Sequence, residues 1–243
     1  MTTLYKHSVN GGGSSKGLHR YLNGLRCGRE VRLTAEFGPE KLILDENKVD
    51  AKACGTVFHA MAEAYHSGQP LPHIDDFEEN KQLGATYHEA YRVFVAYAAS
   101  HSTDFWGGVV GTEVELYDET LDLTGRLDLV TRSDEGIVIN DYKVTSRTSD
   151  FHTYDQFNFQ RIAYPYLWNT EHPTDVCWGF RFIHIIRTKE VRFAVEKFEP
   201  PTLNDVEILK QQLDLSKQMI ANNVPIVTQC ALCRFKNTCD RRM

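Results

Sequence analysis

The sequence predicts an α/β protein with a helical N-terminal part. Helical patterning fills roughly the first hundred residues, apolar alternation of period two follows between about 109 and 143, and a helix, two strands and a last helix complete the chain. A polar stretch, Thr131-Arg-Ser-Asp-Glu-Gly136, separates two alternating runs as a hairpin connection would. No internal repeat is visible.

Helices are expected at about 15 to 33, 53 to 67 and 77 to 100. Gly11-Gly-Gly-Ser-Ser-Lys-Gly17 lacks the Gly-Lys-Ser/Thr order and preceding strand of a phosphate loop, and reads as a flexible lead into a helix capped by Ser14 or Ser15. The second helix carries Val57, Phe58, Met61, Ala62 and Tyr65 on one stripe, with His59 near its first turns. Three strands follow, then a helix near 153 to 169, where Pro165 removes one hydrogen bond and predicts a kink. Val176 to Ile186 and Val191 to Phe198 suit strands, the first through its aromatic and branched residues. Leu203 to Asn222 is an amphipathic helix stopped by Asn222-Asn223 and Pro225.

Composition suits an intracellular globular protein: 243 residues with 42% hydrophobic and 25% charged residues allow one good core. The expectation is one domain over 1–243, with a helical part at about 1–105, a core at about 106–200 and a C-terminal helix and cysteine cluster at about 201–243. No apolar run reaches membrane-spanning length and no signal peptide opens the chain, so a cytoplasmic location is expected. Six cysteines, three of them clustered, suit metal ligation in a reducing compartment better than disulfides.

The chemistry concentrates in Gly125-Arg-Leu-Asp-Leu-Val130 and Ile139-Asn-Asp-Tyr-Lys143. Asp141 and Lys143 are two apart, so on a strand they point to one side, and a hairpin would bring Asp128 beside Asp141. Two carboxylates can hold a hard divalent ion that polarises a phosphodiester and activates water, while Lys143 orients that water. The bland alternative is an exposed ion pair and a solvated strand residue. His59 is either a ligand or a hydrogen-bonded helix residue. Gln160 and Tyr164, four apart, share a helix face that could hold a phosphate or belong to an ordinary amphipathic helix. At the C-terminus, Cys230, Cys233 and Cys239 ask for a metal and a fourth thiolate, best supplied by Cys27; Cys54 and Cys177 sit in apolar surroundings. Zinc and an iron-sulfur cluster fit that spacing equally.

In this order the motifs resemble the RecB-like branch of the PD-(D/E)xK nucleases, especially its iron-sulfur members, such as the CRISPR-associated RecB-like exonucleases and the AddB nuclease domain. The likeness spans a cysteine-bearing basic-aromatic segment through Leu18-His-Arg-Tyr-Leu22 and Cys27, Gly55/His59, Gly125/Asp128, Asp141-Tyr-Lys143, Gln160/Tyr164 and the terminal cysteines. It implies a restriction-endonuclease-like core, a central mixed sheet flanked by helices, with a C-terminal iron-sulfur segment. Magnesium or manganese would be bound by His59, Asp128, Asp141 and the Tyr142 carbonyl, with Lys143 assisting the attacking water. Glu113 would add an acidic group, although Glu115 has the same parity. Gln160 and Tyr164 would hold the DNA strand. Cys27, Cys230, Cys233 and Cys239 would bind a 4Fe-4S cluster, with zinc as the alternative. Val144 departs from the threonine common after the lysine.

The resemblance implies a metal-dependent deoxyribonuclease, more an exonuclease of single-stranded ends than an endonuclease. A non-catalytic DNA-binding or assembly subunit of a recombination or CRISPR adaptation complex is the alternative. The net charge of −6 opposes a surface coated for non-specific nucleic-acid binding. Local basic groups nonetheless stand near Cys27 (Lys16, Arg20, Arg26, Arg29, Arg32), near the catalytic strands (Arg147, Arg161) and around the last cysteines (Arg234, Lys236, Arg241, Arg242). DNA is the expected partner, with a helicase, recombinase or CRISPR adaptation protein beside it, since no motor motif is present.

Overall fold

The structure, a computed structural model, describes residues 21, 31–36, 44–100, 107–149, 151, 155, 158–222 and 224. Its elements run α1 (Ala51–His66), two 3₁₀ turns (Ile74–Asp76 and Asn80–Gln82), α2 (Gly84–Ser100), β1 (Gly108–Asp118), β2 (Leu123–Ser133), β3 (Gly136–Thr145), α3 (Gln160–Glu171), β4 (Cys177–Ile186), β5 (Arg192–Phe198) and α4 (Leu203–Ala221). The strands form one mixed sheet in the order β1-β2-β3-β4-β5. Every pairing is antiparallel except β3–β4, which is parallel because α3 lies in the connection.

Each element follows from local chemistry. The Asp50 side chain caps α1 by accepting from the Ala53 amide, and Ala53, Cys54, Val57, Phe58, Met61 and Ala62 form its buried stripe. β3 is central and covered on both faces, so Ile137 through Tyr142 are all buried. A capping box between Thr202 and Asp205 starts α4, which buries Leu209, Leu213 and Ser216.

Helices flank the sheet on both faces and create two cores. One joins α1 and α2 to Leu129, Tyr142, Ile183 and Ile185; the other joins α3 and α4 to Leu127, Val130, Ile139, Phe180 and Phe182. Gly125 lets α3 lie close to β2, since a Cβ there would stand 2.7 Å from Leu167 Cδ1 and 3.2 Å from the Tyr164 ring.

Four expected boundaries move. α2 begins at Gly84 rather than near 77, because Ile74–Asp76 and Asn80–Gln82 close as two separate 3₁₀ turns from whose ends Phe77 and Leu83 are buried. The hairpin connection shrinks to Asp134-Glu135, because Thr131 to Ser133 pair with Val138 to Gly136. α3 begins at Gln160 and continues past Pro165 to Glu171. Residues 31–36 are helical, beyond the end expected for the first helix; apart from Tyr21 and 31–33, its range lies outside the described residues. Among the described residues, no helix is long and apolar enough to cross a membrane.

Candidate active site

The site forms where the sheet splits. Val114↔Leu127 and Thr112↔Leu129 bracket the position that sets Glu113 opposite Asp128, and Leu129↔Asn140, the last pair between β2 and β3, sets Asp141 one step beyond. Three acidic residues therefore line one row across three strands. β1 and β2 are both irregular at that row. Glu113 has a left-handed φ of 48°, a conformation costing a non-glycine residue about 1–2 kcal/mol. Leu127 and Leu129 sit in opposite cores although they are two apart, so alternation breaks at Asp128. As a result Asp128 reaches across the split, and its Oδ2 accepts the Tyr142 N–H at 2.8 Å.

His59 comes to this row from the third turn of α1, which starts at Ala51, two residues before the expected start. Its Nδ1 lies 3.4 Å from Asp128 Oδ1 and 3.9 Å from Glu113 Oε1. Gly55, one turn earlier, has open space where a Cβ would stand, so the helix surface beside His59 is bare. Burial disfavours a charged His59, but the Asp128 and Glu113 carboxylates more than offset this and hold its proton up to about pH 10. Burial likewise opposes an ionised Asp128, yet His59, Lys143 and the Tyr142 amide keep its carboxyl below the usual range.

The β3 pair faces α3. Lys143 Nζ is ion-paired with Asp141 Oδ2 and donates to Gln160 Oε1 at 2.9 Å. Gln160 Nε2 in turn donates to Asp141 Oδ1 at 3.0 Å and to the Tyr164 hydroxyl at 2.9 Å. Burial pushes the Asp141 carboxyl up, Lys143 pulls it down and Asp128 adds to the rise, leaving it near 6. Tyr142, between them in sequence, turns its side chain to the other face, where its hydroxyl meets Tyr97 at 2.7 Å and His66 at 3.1 Å.

These residues fit a hard divalent cation. His59, Glu113 and Asp128 offer one nitrogen and two oxygens within 4.8 Å of one another. The Asp141 carboxylate is buried between the Lys143 ammonium at Oδ2 and the Gln160 amide at Oδ1, and each oxygen keeps a lone pair beyond these contacts with which it could meet a cation.

Of the other expected site residues, Gln160 and Tyr164 are buried, with their polar ends turned to Asp141 and each other. Arg147 is exposed just beyond β3, and Arg161 stands 5.5 Å over the Phe198 ring. Glu115 is exposed. Cys27, Cys230, Cys233 and Cys239 lie outside the described residues, and Cys54 and Cys177 are buried free thiols. Two participants escaped the sequence reading. Arg126 Nε pairs with Glu113 Oε2 at 2.7 Å, and its place two residues before Asp128 was the available signal. Asn158 contacts Gln160, and its signal was an amide side chain just ahead of a helix start.

No curated protein matches this sequence. The fold is similar to a crystal structure of a "putative exonuclease" from Eubacterium rectale, with 13% identity and a TM-score of 0.62, covering 99% of this chain and 91% of that one. A structure of SSO0001 is similar at 15% identity and a TM-score of 0.43, covering 96% of this chain and 90% of that one. The family model of the PD-(D/E)XK nuclease superfamily matches residues 19–240. With that match over nearly its whole length, and acidic residues on three strands beside a strand-borne Asp-Tyr-Lys, the chain belongs to the PD-(D/E)XK nuclease superfamily.

Proposed function

We propose that this chain, as a single domain over 1–243, is a magnesium- or manganese-dependent deoxyribonuclease of the RecB-like iron-sulfur branch, trimming single-stranded DNA from its ends. The observation that carries this reading is the meeting of His59, Glu113 and Asp128 within 4.8 Å, beside the Asp141–Lys143 pair. His59, Asp128, Asp141 and the Tyr142 carbonyl are the proposed ligands, with Glu113 joining them. The bound cation supplies charge for the phosphodiester and a water of lowered pKa.

The chain's own groups do the rest. Lys143, its side chain 31% exposed, presents an ammonium to the attacking oxygen while Gln160 holds it from below. Gln160 and Tyr164 serve the DNA strand through the pair they fix, and Arg147 and Arg161 meet its phosphates. With magnesium or manganese, end-labelled linear single-stranded DNA is expected to be degraded and a single-stranded circle to survive. Cutting of the circle would overturn the exonuclease assignment, and inertness toward both would overturn the nuclease.

We further infer that Cys27, Cys230, Cys233 and Cys239 hold a 4Fe-4S cluster. Their spacing and the position of Tyr21 support this. Tyr21, six residues before Cys27, accepts from Ser216 Oγ through its carbonyl at 2.5 Å, and Lys217 lies 5.5 Å over its ring, so Tyr21 is tied to α4, the helix that precedes Cys230 in the chain. The purified protein should be brown, with broad visible absorbance that bleaches on reduction. A colourless protein carrying zinc would refute the cluster.

A further inference from the structure

We propose that Asn158 is a positioning residue that sets the polarity of the Gln160 amide and thereby holds the Asp141 carboxylate, through its Oδ1, in place for a cation; this rests on the nuclease reading and deepens it.

The two ends of a glutamine amide differ only in donor and acceptor character, so its neighbours decide which way it faces. Gln160 Oε1 receives two donors, Lys143 Nζ at 2.9 Å and Asn158 Nδ2 at 3.2 Å. Its Nε2 gives to two acceptors, Asp141 Oδ1 and Tyr164 Oη. Reversal would set an amide NH2 against an ammonium and an oxygen against a carboxylate. Lys143 alone leaves this orientation exposed to change whenever it moves toward a substrate oxygen. Asn158 does not move with it.

Asn158 is itself fixed at both ends. Its Oδ1 accepts the Gln160 N–H at 3.0 Å, satisfying one of the unpaired donors at the start of α3, and this obliges its Nδ2 to face Gln160 Oε1. Its backbone N–H donates to the Asp155 carbonyl at 3.0 Å, and the buried Asp155 carboxylate meets His184 Nε2 at 2.5 Å. His184 is the β4 residue in register with Lys143. The residue that orients the amide is therefore anchored to the strand beside the lysine it serves. One asparagine both accepts the first N–H of the helix and orders the hydrogen bonds beneath Asp141.

Two substitutions separate these jobs. Asn158→Asp and Asn158→Ser both keep an oxygen that can accept the Gln160 N–H and lose the amide donor, and serine adds no charge. Both should keep a melting temperature near that of the unmodified protein. Both should lower kcat, by about tenfold for serine and about a hundredfold for aspartate, in the range found when groups supporting metal ligands are removed, with KM little changed. Mn2+ affinity, measured calorimetrically on the full chain without DNA, should fall in the same order. Native kcat and native Mn2+ affinity in both variants would overturn the proposal, as would losses that track the melting temperature through Asn158→Ala. If the unmodified protein binds Mn2+ but cleaves nothing, the nuclease reading fails, while the Mn2+ affinities still decide the role of Asn158.

Discussion

Asp141→Ala and Lys143→Ala are each expected to lower the cleavage rate by about 10³-fold or more, with the fold retained. Asp141 is a buried carboxyl already pushed toward its neutral form, so removing it relieves a desolvated charge, and Lys143 keeps Gln160 and partial contact with solvent. Lys143→Ala acts differently. The carboxylate loses the cation that pulls its proton affinity down, so Asp141 titrates above its present value near 6. A cation must then compete with a proton at that oxygen, so the variant's Mn2+ affinity should rise more steeply from pH 7 to pH 8.5 than that of the unmodified protein, whose Asp141 is already mostly ionised at pH 7. End-labelled DNA assays, calorimetry at the two pH values and thermal melts test the pair together. Native cleavage by either variant would remove Asp141 and Lys143 from the chemistry.

The parts of this arrangement legible in the sequence are those set by local periodicity. Asp141 and Lys143 share a face because strands alternate, and the polar break after β2 brought Asp128 to β3 through a hairpin. The limits are equally physical. Parity alone left Glu113 and Glu115 equivalent, and only the positive φ at Glu113 turns one carboxylate toward His59 while the other stays in solvent. The broken alternation at Asp128 comes from packing, with Leu127 drawn to the α3 side and Leu129 to the α1 side. The parallel β3–β4 pairing depends on where α3 lies. Phe77 and Leu83 mark another limit, since both are buried from the ends of short 3₁₀ turns that carry no periodicity long enough to set them apart from the helix that follows.

Metal affinity should rise about tenfold per pH unit between pH 6.5 and 8.5, about a hundredfold in all, and His59→Ala should flatten that rise. In the metal-free protein Asp128 and Glu113 hold a proton on His59 up to about pH 10, and a protonated imidazole has no lone pair to give. A cation that takes His59 as a ligand must therefore expel one proton across this whole range. Asp141, near 6, is mostly ionised above pH 6.5 and contributes little to the slope. The sign separates two roles that the geometry alone leaves equivalent. A ligand gives affinity that grows with pH; a permanently charged partner of Asp128 and Glu113 gives affinity that is flat, because its proton stays in place when the cation binds elsewhere. Calorimetry with Mn2+ in buffers of different ionisation enthalpy counts the released proton directly. Release of about one proton per cation at pH 7.5, absent in His59→Ala, would place the imidazole on the metal; no release would confine His59 to balancing the two carboxylates.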